Sequence, residues 1–180
     1  HNADFKATSP KLPGHCSEWE KLESVTAEDW LNSLEQKTEK ILKVSEKINI
    51  IGLSMGGTLA ALLCNKFQDR TATLSLICAP FKVPSYQKLG YFFAKFFLKS
   101  IGGIGGDIKK IGAHEEYYPR IPVKAIGELF KIIDSGQKVL RNINVPVRLF
   151  YSKHDHIIAK ESSEIAMKKI PADDKKLKIY

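Results

Sequence analysis

Gly52-Leu53-Ser54-Met55-Gly56-Gly57 is the segment of this 180-residue chain whose residue types and spacing are most suited to chemistry. It fits G-x-S-x-G. It lies between a short apolar run, Ile48-Asn49-Ile50-Ile51, and a stretch of small and apolar residues from Gly57 to Phe67. A sharp turn from a buried strand into a buried helix forces its central residue into strained backbone angles and lifts that side chain above the carboxyl end of a sheet. Glycine is expected at 52 and 56, where a side chain would collide with the neighbouring strand and helix. Ser54 is therefore the candidate nucleophile. The N–H of Met55, at a helix N-terminus, is a candidate donor to a developing oxyanion. The plainer alternative is a glycine-rich strand-to-helix turn with an idle serine.

A serine hydroxyl attacks poorly until a base takes its proton, and the base needs an orienting carboxylate. Asp155 is the candidate acid. It follows an apolar segment, Pro146 to Ser152, and so stands at a strand's carboxyl end, the edge where open α/β sheets bind ligands. Its alternative role is a loop aspartate capping the next helix. Asp134, Asp173 and Asp174 lie in helix or surface contexts and are weaker candidates. The histidines are His1, His15, His114, His154 and His156, and none suits the base. His154 and His156 adjoin Asp155 in sequence and cannot easily face it across a loop. His15 precedes the serine, and His114 falls in a helical insertion. The order Ser…Asp…His places the base after Asp155, in a loop beyond the segment Lys175 to Tyr180.

These side chains need a sheet to position them. Thr26 is a good N-cap, with Glu28 and Asp29 in the first turn. Trp30, Leu31, Leu34, Ile41, Leu42 and Val44 then recur at helical period. Ile48–Ile51, Gly57–Phe67 and Thr71–Cys78 read as strand, helix and strand, a βαβ unit with parallel strands covered on both faces. Asp4–Thr8 reads as a further short strand. Residues 81–142 hold no convincing strand. They carry an aromatic run (Tyr91, Phe92, Phe93, Phe96, Phe97), a glycine cluster (Gly102, Gly103, Gly105, Gly106) and a helical stretch from Val123 to Leu140. Pro146–Ser152, Glu161–Ile170 and Lys175–Tyr180 then return to strand, helix and strand. The expected architecture is α/β: a mostly parallel sheet flanked by helices, built from 1–80 and 143–180, with 81–142 as a helical cap.

Composition excludes several classes. Hydrophobic residues make up 43% and charged residues 27%, the mix of a globular domain rather than of a disordered or fibrous one. No apolar stretch approaches the roughly 20 residues that span a bilayer. Cys16, Cys64 and Cys78 show no C-x-x-C spacing, so neither a disulfide framework nor a cysteine zinc site is expected, and a reducing compartment is favoured. No metal or cofactor constellation appears. The glycine cluster is not G-x-G-x-x-G, because position 108 is Ile, and no GK[ST] follows it; a flexible cap hinge is the expected role. The net charge is +8, but the surplus is lysine spread along the chain, with arginine only at 70, 120, 141 and 148. That describes a solvated surface, not a nucleic-acid reader. The phenylalanines of the aromatic run interleave with Lys88, Lys95 and Lys99. They either pack the cap on the core or form an apolar wall for an acyl chain, with transient membrane-surface contact.

The chain resembles the α/β-hydrolase superfamily, and within it the bacterial carboxylesterase and monoacylglycerol lipase group. The residues that carry the resemblance are Leu12-Pro13-Gly14-His15, Asp29-Trp30, Gly52-Leu53-Ser54-Met55-Gly56-Gly57, Cys78-Ala79-Pro80, and His154-Asp155 followed by Ile157-Ile158. The resemblance implies Ser54 as nucleophile, Asp155 as acid, Met55 as one oxyanion donor, and 81–142 as the cap over an acyl pocket; on the acyl-wall reading of the aromatic run, Phe92, Phe93, Phe96 and Phe97 are the candidate substrate-binding residues. It implies hydrolysis of carboxylic esters or monoacylglycerols through an acyl-enzyme; no cofactor and a cytoplasmic location are expected. Family members also open with a strand and a His-Gly-aromatic loop and close with a Ser-Gly-His loop. Neither is found here, so the catalytic histidine and the second oxyanion donor are expected outside the chain. Acyl transfer, thioester cleavage or a non-catalytic binding module on the same fold are the alternatives.

Overall fold

The computed structural model describes residues 6–103, 105 and 117–180. Helix α1 (Ala27–Leu42) begins with a reciprocal cap: the Thr26 hydroxyl accepts from the Asp29 N–H, and the Asp29 carboxylate accepts from the Thr26 N–H. Strand β1 (Ile48–Leu53) leads directly into α2 (Met55–Lys66), and β2 follows (Thr71–Ile77). Residues 81–142 contribute α3 (Ser85–Phe97), β3 (Ser100–Gly102), β4 (Arg120–Pro122) and α4 (Val123–Val139). The core then resumes with β5 (Val147–Tyr151), α5 (Glu161–Lys169) and β6 (Lys175–Ile179).

The four core strands form one parallel sheet in the order β1-β2-β5-β6, so the expected βαβ unit is present and the second pair extends it. Leu74, Leu76, Val147 and Leu149 fill its centre together with Ala60, Ala61 and Cys64 of α2 and Ala166 of α5. Small residues let α2 lie close to the strands. A Cβ on Gly57 would stand 2.5 Å from that of Ala79. Helix α4 packs on α2 as well, with Gly136 brought so near that an added Cβ would meet Thr58 Cγ2 at 2.2 Å.

Several expectations are corrected. The strand expected at Asp4–Thr8 is irregular over 6–8, and residues 4 and 5 lie outside the described residues. Strand β1 is covered on one face only: Ile51 and Leu53 are 69% and 64% exposed, while Ile50, alternating with them on the opposite face, is buried. Val44 lies beyond the end of α1 and is exposed rather than part of its buried stripe. Residues 81–142 do contain strands. β3 and β4 pair antiparallel, Ile101 opposite Ile121. Three-residue strands are too short to show an alternating pattern, and one of them includes a glycine. Of the glycine cluster, Gly106 lies outside the described residues. Gly103 sits where a Cβ would overlap the Tyr118 carbonyl oxygen, which makes it a site of close backbone approach beside the β3–β4 pair.

Candidate active site

Ser54 occupies the single residue between β1 and α2, at φ 51°, ψ −126°. Left-handed φ for a non-glycine residue is strained and is held only where surrounding bonds determine it. Here the Ser54 N–H donates to the Ile77 carbonyl at 2.9 Å, tying the turn to β2, and the Ser54 carbonyl accepts from Gly57 N–H at 2.8 Å as α2 begins. Gly52 is obligatory: a Cβ there would lie 2.1 Å from the Gly56 carbonyl oxygen. The expectation for Gly56 is corrected. A Cβ on it would meet nothing within 4 Å, and the glycine in close contact is Gly57, against Ala79 in the segment after β2. Met55 is the first residue of α2, so its N–H is one of those a helix leaves unpaired.

Asp155 sits in the turn after β5, half-buried. Its Oδ1 accepts from the N–H groups of Ile157 (2.9 Å) and Ile158 (2.8 Å), and its own N–H donates to the Ser152 carbonyl. One carboxylate oxygen therefore does the capping work, and the carboxylate also pairs with the Cys78 thiol. Cys78, at φ 45°, is the residue after β2 and its N–H donates to the Phe150 carbonyl. Burial pushes the Cys78 thiol up, and the adjacent Asp155 carboxylate acts in the same direction. Along the carboxyl edge of the sheet the order is thus Ser54, Cys78 and the Asp155 turn.

A cavity of about 1130 Å³ opens at this edge. Ser54 and Met55 line it, as do residues 156–159 directly after Asp155, while Asp155 and Cys78 are not among the lining residues. Tyr91 of α3 and Phe130 and Ile133 of α4 provide an apolar side, the two rings meeting edge to face at 5.5 Å. Phe92, Phe93, Phe96 and Phe97 are not among the lining residues. All four are exposed, and Phe97 reaches 82%. Helix α3 turns Tyr91 and Ala94 inward and these four rings outward, and none of its residues is buried, so the rings neither pack the core nor wall the cavity.

Two histidines border the cavity, His15 and His156. His154 is exposed, and His1 and His114 lie outside the described residues. The approach of His15 was not readable from its place in a loop before the serine. It comes from packing: its ring meets Trp30 edge to face at 6.0 Å, and Trp30 is in the cluster against which Met55 packs. Among the described residues no three His, Cys, Asp or Glu side chains are grouped to hold a metal ion, and no helix is long and apolar enough to cross a membrane.

A family model described as serine aminopeptidase, S33, matches residues 9–180. The chain is 26% identical over 175 residues to a thermostable monoacylglycerol lipase of Bacillus sp. (strain H-257), covering 97% of this chain and 69% of that protein. It is also 26% identical over 181 aligned positions to a carboxylesterase of Bacillus subtilis (strain 168), covering 98% and 71%. A solved structure from work on LipS and LipT, two metagenome-derived lipolytic enzymes, superposes with a TM-score of 0.89 at 27% identity, over 95% of this chain and 70% of that one. A soluble variant of monoglyceride lipase from Saccharomyces cerevisiae shares the fold, with a TM-score of 0.65 at 16% identity over 88% and 61% of the two chains. With its parallel sheet, its strained serine turn and a family match spanning nearly its whole length, the chain belongs to the serine aminopeptidase S33 family of α/β-hydrolases.

Proposed function

We propose that this protein is a carboxylic ester hydrolase that works through an acyl-enzyme on Ser54. The single observation carrying this reading is the strained Ser54, placed at the mouth of a helix and opening on a large cavity with an apolar side. The hydroxyl oxygen bonds to the ester carbonyl carbon while its proton passes to a histidine base. The Met55 N–H stabilises the resulting oxyanion. Collapse of the tetrahedral species expels the alcohol, which takes the proton from the imidazolium. Water then attacks the acyl group by the same path and releases the acid. Asp155 orients the base through the carboxylate oxygen not used by Ile157 and Ile158.

The substrates are uncharged esters with a short or medium acyl chain, or monoacylglycerols, and 81–142 forms the cap over their site. An acyl chain fits the side formed by Tyr91, Phe130 and Ile133. The outer face of α3 suits transient contact with a lipid surface, since Phe92, Phe93, Phe96 and Phe97 are exposed beside Lys88, Lys95 and Lys99, and Lys95 Nζ stands 4.8 Å and 4.9 Å from the Phe92 and Phe96 ring centres. The free thiols of Cys16, Cys64 and Cys78 suit a reducing, cytoplasmic location. A serine-directed fluorophosphonate tests the central assignment: it should label the protein and fail to label Ser54→Ala. Absence of label, or label that survives the substitution, defeats it.

A further inference from the structure

Loop 13–17 forms one side of the cavity and is unusually fixed. The Pro13 carbonyl accepts from Trp30 Nε1 at 3.0 Å and pairs with His15 Nδ1 at 3.2 Å. The Gly14 carbonyl accepts from the Tyr118 hydroxyl at 2.7 Å and from Ser17 Oγ at 3.0 Å, and the Ser17 N–H donates back to the Tyr118 oxygen. Two residues of the loop hold left-handed backbone, Gly14 at φ 76° and Cys16 at φ 50°.

The bonding settles which atoms remain. A carbonyl oxygen only accepts, so His15 Nδ1 carries the proton, and in the neutral ring Nε2 is left as a lone-pair acceptor. Among the described residues Nε2 has no hydrogen-bond partner. The hydroxyl hydrogens of Ser17 and Tyr118 are both spent on Gly14, so these two side chains also offer only lone pairs. His15, Ser17 and Tyr118 all line the cavity that Ser54 and Met55 line. His15, Ser17 and Tyr118 therefore present acceptors on this side, beside the weakly donating Cys16 thiol and the Tyr117 hydroxyl, while Tyr91, Phe130 and Ile133 present hydrocarbon. An ester whose acyl part is apolar and whose alcohol part carries spare hydroxyl donors complements both.

We infer that His15 Nε2 accepts a hydrogen bond from a free hydroxyl on the alcohol portion of the substrate, so that His15 selects esters of polyols over esters of simple alkanols. The inference rests on the ester-hydrolase reading above. It assigns His15 to substrate binding and not to proton transfer.

The test compares 1-decanoylglycerol with ethyl decanoate on the full-length enzyme. His15→Asn keeps an amide N–H that can reach the Pro13 carbonyl and removes the acceptor at the Nε2 position. It should lower kcat/KM for 1-decanoylglycerol by about 5–10-fold, mainly through KM, and leave ethyl decanoate within about twofold. His15→Gln, which returns an amide oxygen near the Nε2 position, should recover part of the loss. Equal losses on both esters, or none on either, overturn the inference. The wild type supplies a second arm that needs no variant: 1-O-decylglycerol should inhibit more strongly than decyl methyl ether, and equal inhibition counts against His15. If the wild type cleaves neither ester, the ester-hydrolase reading itself has failed, a result distinct from loss of selectivity.

Discussion

The serine turn and helix α3 are opposites in how their residues are held. Around Ser54 every position but Gly56 is tightly determined. Gly52 and Gly57 admit no side chain, the Ser54 N–H is bonded to β2, and Thr58, Leu59, Ala61 and Cys64 of the following helix are fully buried. Helix α3 has no buried residue, and its large rings face outward. A strained φ persists only where packing over-determines it, so the nucleophile belongs on the first kind of scaffold. A helix that touches its surroundings mainly through α4 is free to serve access and surface contact. The fold thus keeps chemistry and approach on separate elements.

Substitutions at each region sharpen this contrast. The largest effect is expected for Ser54→Ala, which should lower ester turnover by about 10⁴- to 10⁶-fold with no loss of melting temperature. Asp155→Asn should follow, with kcat down by about 10⁴-fold, because the base loses its orienting charge. Equal kcat for Asp155→Asn and wild type would remove Asp155 from the site. Next, Gly52→Ala should cost more than about 2 kcal/mol in denaturant unfolding, since the new methyl meets backbone that cannot yield. Gly56→Ala, one turn away and in open space, should be neutral or stabilising by up to about 1 kcal/mol. On α3, Phe96→Ser and Phe97→Ser should change stability by less than about 0.5 kcal/mol while weakening co-sedimentation with anionic vesicles.

The smallest effect concerns α1. The cap with Thr26 holds the Asp29 carboxyl below its ordinary range, the backbone bond from Thr26 contributing most. A depressed carboxyl contributes stability that is present above its unfolded pKa and is lost as pH falls through the folded value. Thr26→Ala keeps the backbone N–H but loses both bonds of the hydroxyl, so it should lower the melting temperature by about 2–4 °C at neutral pH, and the gap should narrow without closing as the Asp29 carboxylate is protonated in acid.

What could be read before folding was local. Thr26 with Asp29, the run from Ile48 into Gly52, and the small residues of α2 each encode their element through nearest neighbours, and the serine turn is the junction of two such signals. The residues that sequence reasoning placed poorly depend on partners far along the chain. Gly57 matters because Ala79 crosses it, which no spacing within the turn reveals. The four phenylalanines of α3 look like core by composition, yet the helix meets α4 through Tyr91, and the adjacent rings point away. β3 and β4 are paired across a long excursion, and neither is long enough to carry a period. His15 reaches the cavity through Trp30 and the Pro13 carbonyl, contacts made only once α1 has docked.

The central claim is that Ser54 becomes acylated during turnover. Rapid acid quench of the full-length enzyme with a p-nitrophenyl ester, followed by peptide mapping, tests it directly. The account predicts an adduct of the acyl mass on the peptide containing Ser54, formed with a burst of p-nitrophenol and absent from Ser54→Ala. Sustained turnover with Ser54 unmodified, or an adduct on any other residue, would contradict it.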